Sequence, residues 1–145
     1  MFEEDTYVDQ SKTAEPRAAV QLGFQPGDRI QELGYDDDVD FDLRDDLEDL
    51  IGSELLDEDD QEVVDAVLFW WRDGEGDLVD ALVDSLTTLG EEGVVWVMTP
   101  KAGREGHVPP HELQEAAPTA GLKLTTAAAG ASQDWSATRL VTTKF

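Results

Sequence analysis

The sequence has no cysteine among its 145 residues, which excludes disulfide bonds, thiolate catalysis and zinc sites built on cysteine. It also lacks any apolar run near the roughly 18–20 residues that a membrane-spanning helix needs. The first residues are acidic and show neither the basic nor the apolar segment of a secretory signal. We therefore expect a cytoplasmic protein that does not bind or enter membranes.

Basic residues are scarce, because 10 Lys and Arg stand against 34 Asp and Glu, for a net charge of −24. Residues 1–98 carry 30 of the acidic and 5 of the basic side chains, whereas residues 99–145 carry 4 and 5. The densest stretch, residues 36–62, has 15 carboxylates and one base, Arg44. Such a surface repels nucleic acid and attracts basic protein surfaces. Adaptation to high salt is an alternative explanation, but it predicts acids over the whole surface.

Hydrophobic periodicity predicts an α/β fold. Residues 63–71 and 94–98 are apolar on both faces, as in strands that helices cover on both sides. The amphipathic segment 77–89 predicts a helix between them, which Gly90 and Gly93 would end. Further helices are predicted at 15–22, 39–51 and 110–117, and further strands at 29–33, 122–129 and 138–143.

This order predicts a small three-layer α/β sandwich with a mainly parallel sheet and a C-terminal antiparallel hairpin. Residues 15–145 would form this single domain, after a disordered acidic tail at residues 1–14. In the core strand, Trp70 and Trp71 should point to opposite faces of the sheet.

Three segments carry a resemblance to a known family. They read DAVLFWWRDGEGDLVDALVDSLTTLGEEGVVWVMTPKAG, EAAPTAGL and DWSATRLV. Together they resemble the domain of unknown function 3052 family, over residues 20–143. The resemblance implies a reduced Rossmann-like sheet of the kind seen in class I methyltransferases. It implies no activity, because the family is defined without one.

The end of the first predicted strand is the candidate site for a cofactor, since α/β sheets bind nucleotides at the carboxyl ends of their strands. Dinucleotide sites have three glycines there, but this chain has Gly34 alone. Asp36 begins a run of three carboxylates that would repel a pyrophosphate. A sulfonium without phosphate, such as S-adenosylmethionine, would be tolerated better. Gly34 and Asp36 are thus candidates for binding S-adenosylmethionine or another nucleoside, and a capped turn without a ligand is the alternative.

Two spacings resemble metal sites without completing them. The alternating aspartates of residues 36–42 lack the glycine that an EF-hand calcium loop needs at its sixth position. His107 and His111 have the spacing of zinc ligands on one helical turn, but Pro109 and Pro110 stand between them. We expect no metal, no resident cofactor and no catalytic residue, because no nucleophile with its base is present either.

The candidate residues for binding a partner come from three places. The acidic face of the predicted helix 39–51 supplies Asp45, Asp46, Glu48 and Asp49. The loop after the strand 94–98 supplies Lys101 and Arg104, for an acidic group of a partner or of this molecule. Trp135, in a predicted turn, is either a contact residue or a lid over the core.

We therefore expect a non-catalytic interaction or regulatory protein whose acidic helical face docks on a basic protein partner, without binding nucleic acid directly. The alternative is a small transferase that binds S-adenosylmethionine or another nucleoside.

Overall fold

The structure is a computed structural model that describes residues 22–128 and 132–143. The predicted acidic tail and the predicted helix 15–22, except for Leu22, lie outside these residues. Within them the chain forms, in order, β1 (Ile30–Leu33), α1 (Phe41–Ile51), β2 (Val64–Trp70), α2 (Leu78–Ser85), β3 (Leu89–Pro100), α3 (Pro110–Thr119), β4 (Leu122–Ala128) and β5 (Trp135–Thr142).

The five strands form one mixed sheet in the order β1-β2-β3-β5-β4. β1, β2 and β3 run parallel to one another, and β5 runs antiparallel to both β3 and β4. The predicted α/β class is confirmed. In the described part of the chain, no helix is both long and apolar enough to cross a membrane.

Hydrophobic clusters pack on both faces of the sheet. Successive residues of a strand enter opposite clusters, because side chains alternate between the two faces. Trp70 packs on one face in a hydrophobic cluster that includes Leu43 and Leu47 of α1. Trp71 packs on the other face in a second cluster, with Leu82 of α2 and Leu113 of α3. Trp70 and Trp71 therefore point to opposite faces, as predicted. Each fully buried leucine contributes roughly 1.5–3 kcal/mol to folding.

Aspartates fix where α1 and α2 begin. The Asp40 carboxylate accepts a hydrogen bond from the backbone N–H of Leu43 at 3.0 Å, and the Asp77 carboxylate does the same for Val79 at 2.9 Å. These bonds satisfy backbone groups that the first helical turn leaves without partners. Part of the chain's acidity is therefore used to cap helices.

The structure corrects the predicted boundary between α2 and β3. The helix ends at Ser85, and Gly90 and Gly93, the predicted helix stops, lie inside the 12-residue strand β3. A Cβ on Gly93 would lie 2.9 Å from the carbonyl oxygen of Asp65, so the glycine permits close approach of β3 to β2. The register between these strands shifts at the same place. The two glycines are therefore part of β3 and do not end α2.

The outer edge of β1 is covered by a loop. Leu56 donates its N–H to the Ile30 carbonyl at 2.9 Å and accepts from the Glu32 N–H at 2.8 Å. The buried side chain of Gln31 donates to two backbone carbonyls of residues 57–60, at 3.0 and 3.1 Å. These bonds fasten part of the acidic stretch to the sheet.

Candidate functional site

Gly34 follows β1 at the carboxyl end of the strand, and the neighbouring strand fills the space beside it. Its φ of 77° is in the left-handed region, and an added Cβ would lie 2.1 Å from the carbonyl oxygen of Trp70. Its N–H donates to Glu58 at 3.0 Å, and its carbonyl accepts from Arg72 at 3.1 Å. The glycine therefore permits close packing between β1 and β2, and its own chain uses both of its backbone polar groups.

Asp36, the second predicted cofactor residue, lies in the exposed loop between β1 and α1. Its carboxylate accepts the N–H of Asp37 at 2.8 Å, and its carbonyl accepts the N–H of Val39 at 3.4 Å. The structure thus places Gly34 and Asp36 in one loop. Both residues form hydrogen bonds within their own chain, and their role in binding a cofactor stays a prediction.

Arg72 closes the carboxyl end of β2. Its Nε and Nη2 donate to Asp38 at 2.8 and 2.6 Å, and its guanidinium lies 5.2 Å from the centroid of the Trp135 ring. Arg104 approaches the same ring to 5.7 Å. Trp135 in turn stacks edge-to-face on Trp70, with ring centroids 4.9 Å apart. We call Asp38, Arg72, Arg104 and Trp135 the plug, because they pack on one another at this end of the sheet.

Charge pairing stabilises the plug. The hydrogen bond from Arg72 lowers the pKa of Asp38 below its ordinary value, and the same bond raises the pKa of Arg72. Both groups are therefore charged at neutral pH, with the Arg72 side chain 13% and the Asp38 side chain 43% exposed. The bidentate geometry also fixes the orientation of the guanidinium plane over the tryptophan.

A second ion pair lies at the end of β1. The buried carboxylate of Glu32 accepts from Nε and Nη2 of Arg44 at 2.7 and 2.9 Å, and from the indole N–H of Trp70 at 2.8 Å. The bond to Glu32 raises the pKa of Arg44. With three hydrogen bonds, Glu32 is committed to holding β1, α1 and β2 together.

Grooves flank the plug. One, of about 480 Å³, lies between the start of α1 and residues 132–135, and its lining residues include Asp38, Asp40, Asp42, Asp46 and Asp134. Another, of about 380 Å³, is mixed in charge, because Arg72 and Arg104 line it together with Asp38, Asp73, Glu75 and Glu105. Carboxylates lining a groove repel phosphates and attract cations.

The histidines are not arranged as a metal site. The Nδ1 of His107 lies 2.8 Å from the carbonyl oxygen of Pro100, whereas His111 is exposed at the start of α3. Across residues 22–128 and 132–143, no group of three or more His, Asp and Glu side chains is placed to hold a metal ion.

The four predicted acids of α1 have different environments. Asp45 and Asp49 are exposed, and the side chain of neither makes a hydrogen bond or an ion pair with another residue that the structure describes. Asp46 lines the groove of about 480 Å³. Glu48 accepts the N–H of Leu55 at 3.0 Å and so fastens the chain that follows the helix. Asp45 and Asp49 are therefore the acids of this set best placed to meet a partner.

The backbone carbonyl of Asp134 lies beside three predicted residues, Lys101, Arg104 and Trp135. The backbone N–H of Lys101 and the Nη1 of Arg104 both donate to the Asp134 carbonyl oxygen, each at 3.0 Å. Trp135 is the first residue of β5, where a turn was predicted, and it is 1% exposed. Of its two predicted roles it has the position of a lid over the core, and the two guanidinium groups lie above it.

Exposed acids lie on both faces of the sheet. Asp45 and Asp49 are on α1, whereas Asp80 and Asp84 are on α2, which packs on the opposite face. The acidic surface is therefore broader than one helical face. Because β1, β2 and β3 are neighbours and the nearly neutral C-terminal strands follow them, the charge asymmetry of the sequence becomes an asymmetry across the sheet.

Arg72, the central residue of the plug, was not among the predicted site residues. Its position was a usable signal, because it comes directly after a strand apolar on both faces and is the only base between residues 45 and 100. Glu32 was missed without such a signal, since an alternating strand gives no indication that one of its charged residues is buried.

Comparison with solved structures shows a methyltransferase-like fold. The CcbJ methyltransferase from Streptomyces caelestis superposes with a TM-score of 0.59 at 12% identity, over 90% of this chain and 89% of that one. A TehB-like SAM-dependent methyltransferase from Corynebacterium glutamicum gives a TM-score of 0.53 at 19% identity, over 89% and 87%. At these identities the likeness concerns the Rossmann-like fold alone.

Sequence comparison gives a much nearer relationship. The uncharacterized protein Rv2239c of Mycobacterium tuberculosis is 55% identical over 126 residues, which are 87% of this chain and 78% of that protein. The family described as protein of unknown function (DUF3052) matches residues 19–144. As its three characteristic segments predicted, the chain belongs to the DUF3052 family.

Proposed function

We propose that this protein is a non-catalytic interaction or regulatory protein whose acidic surface around α1 docks on a basic protein partner. The observation that carries the proposal is that contacts within the chain occupy the positions directly after β1 and β2, at the carboxyl end of the sheet. Gly34 packs on the backbone of Trp70, and Arg72 closes the neighbouring position with Asp38. This is the place where α/β sheets bind small ligands, so its occupation by the chain itself favours a surface function.

Exposed charge supports the same proposal. Asp45 and Asp49 lie on α1 without an ion-pair partner among the described residues. A cationic partner can therefore bind them without breaking an ion pair within that part of the chain. Long-range attraction by such a surface raises association rates and weakens as salt screens it.

The scaffold that we propose for this surface is a three-layer Rossmann-like sandwich in which a C-terminal antiparallel hairpin forms one edge. Separate hydrophobic clusters on the two faces and the antiparallel pairing of β4 with β5 support it. The sandwich would hold α1 rigidly against the sheet, which a docking surface requires.

A second candidate is a small transferase that binds S-adenosylmethionine or another nucleoside. The fold shared with methyltransferases favours it, as does the groove of about 480 Å³ beside the plug. Five aspartates are among the residues that line this groove, so a ligand there would meet mainly acidic side chains.

Capture of partners at two salt concentrations tests the docking proposal. We expect the immobilised protein to retain basic proteins in low salt and to lose them near 1 M salt, where the screening length falls to about 3 Å. The double variant Asp45→Asn/Asp49→Asn should retain less, whereas the matched variant Asp80→Asn/Asp84→Asn on the opposite face should retain as much as the wild type. Equal retention by the two variants would contradict a docking role for α1.

Isothermal titration separates the second candidate from the first. We expect no heat from S-adenosylmethionine or from its demethylated product, S-adenosylhomocysteine. Binding of either one with a micromolar dissociation constant would overturn the non-catalytic proposal and favour the transferase.

A further inference from the structure

Two aromatic rings are exposed together at the start of α1. Tyr35 and Phe41 are 52% and 45% exposed, and their rings meet edge-to-face with centroids 6.1 Å apart. We call this pair the aromatic ridge. Single exposed apolar residues are ordinary, but paired aromatic side chains at the surface are typical of binding sites, where tyrosine contributes strongly to affinity.

Carboxylates line a groove on each side of the aromatic ridge. Tyr35 lines a cavity of about 410 Å³ together with the acids Glu32, Asp57, Glu58 and Asp59 and with Arg44, whose guanidinium also lies 6.0 Å from the centroid of the Phe41 ring. Phe41 lines the groove of about 480 Å³ with its five aspartates. Phe41 also precedes Asp45 by four residues on α1, so the ridge continues into the exposed acidic stripe of the helix. An aromatic face beside carboxylates is complementary to a cation that is planar and weakly hydrated.

The chain itself shows which cation these surfaces accept. The guanidinium of Arg44 lies 4.9 Å from the centroid of Tyr35 while it forms two hydrogen bonds to Glu32. Arg72 repeats the arrangement, with its guanidinium over Trp135 and two bonds to Asp38. A guanidinium can stack and form a bidentate bond at once, whereas a lysine ammonium is a strongly hydrated point charge.

We propose that the aromatic ridge is the docking site for an arginine-rich segment of a partner protein. The proposal rests on the proposed function and narrows the partner from a basic surface to one that presents arginine. Arginine side chains would stack on the exposed parts of Tyr35 and Phe41 and bind exposed carboxylates of the two flanking grooves, such as those of Asp42 and Asp59. The acids of α1 would then extend the contact along the segment.

Two labelled peptides of equal charge, nona-arginine and nona-lysine, test this proposal by fluorescence anisotropy. We expect the wild type to bind nona-arginine at least about threefold more tightly, because stacking adds to the charge attraction only for guanidinium. Tyr35→Leu and Phe41→Leu, which keep apolar bulk but lose the ring, should each weaken nona-arginine binding about twofold to fivefold. Their affinity for nona-lysine should stay within about twofold of wild type.

Val83→Ala is the matched control, because Val83 is 48% exposed and lies on α2. It should bind both peptides as the wild type does. Tyr35 and Phe41 are each about half exposed, so either leucine variant tests the ridge by itself if the other proves unstable.

The outcomes separate the two proposals. Equal affinity for both peptides, reduced by salt and unchanged in the leucine variants, would overturn the aromatic ridge and leave docking by the acidic surface intact. No binding of either peptide in low salt would overturn both proposals.

Discussion

Replacing Gly34 by alanine is the sharpest test of how the end of the sheet is filled. The backbone there has a φ of 77°, and the new Cβ would lie 2.1 Å from the carbonyl oxygen of Trp70. A left-handed conformation costs alanine about 1–2 kcal/mol. A backbone oxygen cannot rotate away, so β1 and β2 must move apart, which costs about 1–3 kcal/mol more by the usual penalty for overpacking.

Gly52→Ala supplies the matched control. Gly52 has a nearly identical φ of 84°, but nothing lies within 4 Å of its added Cβ. It should therefore lose only the conformational part, about 1–2 kcal/mol. The difference between the variants isolates the contact with β2, and it should lower the melting temperature of Gly34→Ala by roughly 4–12 °C relative to Gly52→Ala.

Thermal unfolding followed by circular dichroism measures both variants under the same conditions. Melting temperatures within about 2 °C of each other would refute the reasoning, because they would show that the loop has room for a side chain. The glycine would then need another explanation, and approach of a ligand to the backbone would be the first to test.

Three further substitutions test other contacts. Asp38→Asn removes a carboxylate whose pKa Arg72 holds below the ordinary value of 3.8. A carboxyl with a lowered folded-state pKa adds stability above its unfolded-state pKa and loses it as the pH falls through the folded-state value. The difference in melting temperature between wild type and variant should therefore be constant above about pH 5 and shrink as the pH falls below about 4, and a difference independent of pH would contradict the ion pair. Glu32→Ala leaves the guanidinium of Arg44 without its carboxylate, so urea unfolding should show a loss of about 3 kcal/mol, with Glu32→Gln losing less. Asp77→Ala removes the N-cap of α2 and should cost about 1 kcal/mol in the same assay, and an unchanged urea midpoint would argue against the cap.

The sequence predicted those elements whose signal is local. β2 and β3 are apolar on both faces, and α1 and α2 carry an apolar stripe, so their type followed from periodicity alone. The end of α2 did not, because Gly90 and Gly93 could equally stop a helix or allow close approach of two strands. Only the position of Asp65 across the sheet distinguishes these roles.

The plug could not be predicted, because it depends on the order of the strands in space. Asp38, Arg72 and Trp135 come from three distant parts of the chain, and they meet because β5 lies beside β3. Local patterns give the direction of a strand's side chains but not its neighbour. Gly34 shows the same limit, since the residue that fills its space is 36 positions away.

The loop over the outer edge of β1 also governs how the sheet could be extended. Leu56 already uses the hydrogen-bonding groups of Ile30 and Glu32, so a strand from another molecule finds no free backbone row there. Among the described residues no strand pairs with the outer side of β4, but that edge carries exposed Lys123 and a register irregularity after Leu124. Charge and irregularity both discourage edge-to-edge aggregation. Each edge of the sheet is therefore protected from pairing with a further strand by a different feature.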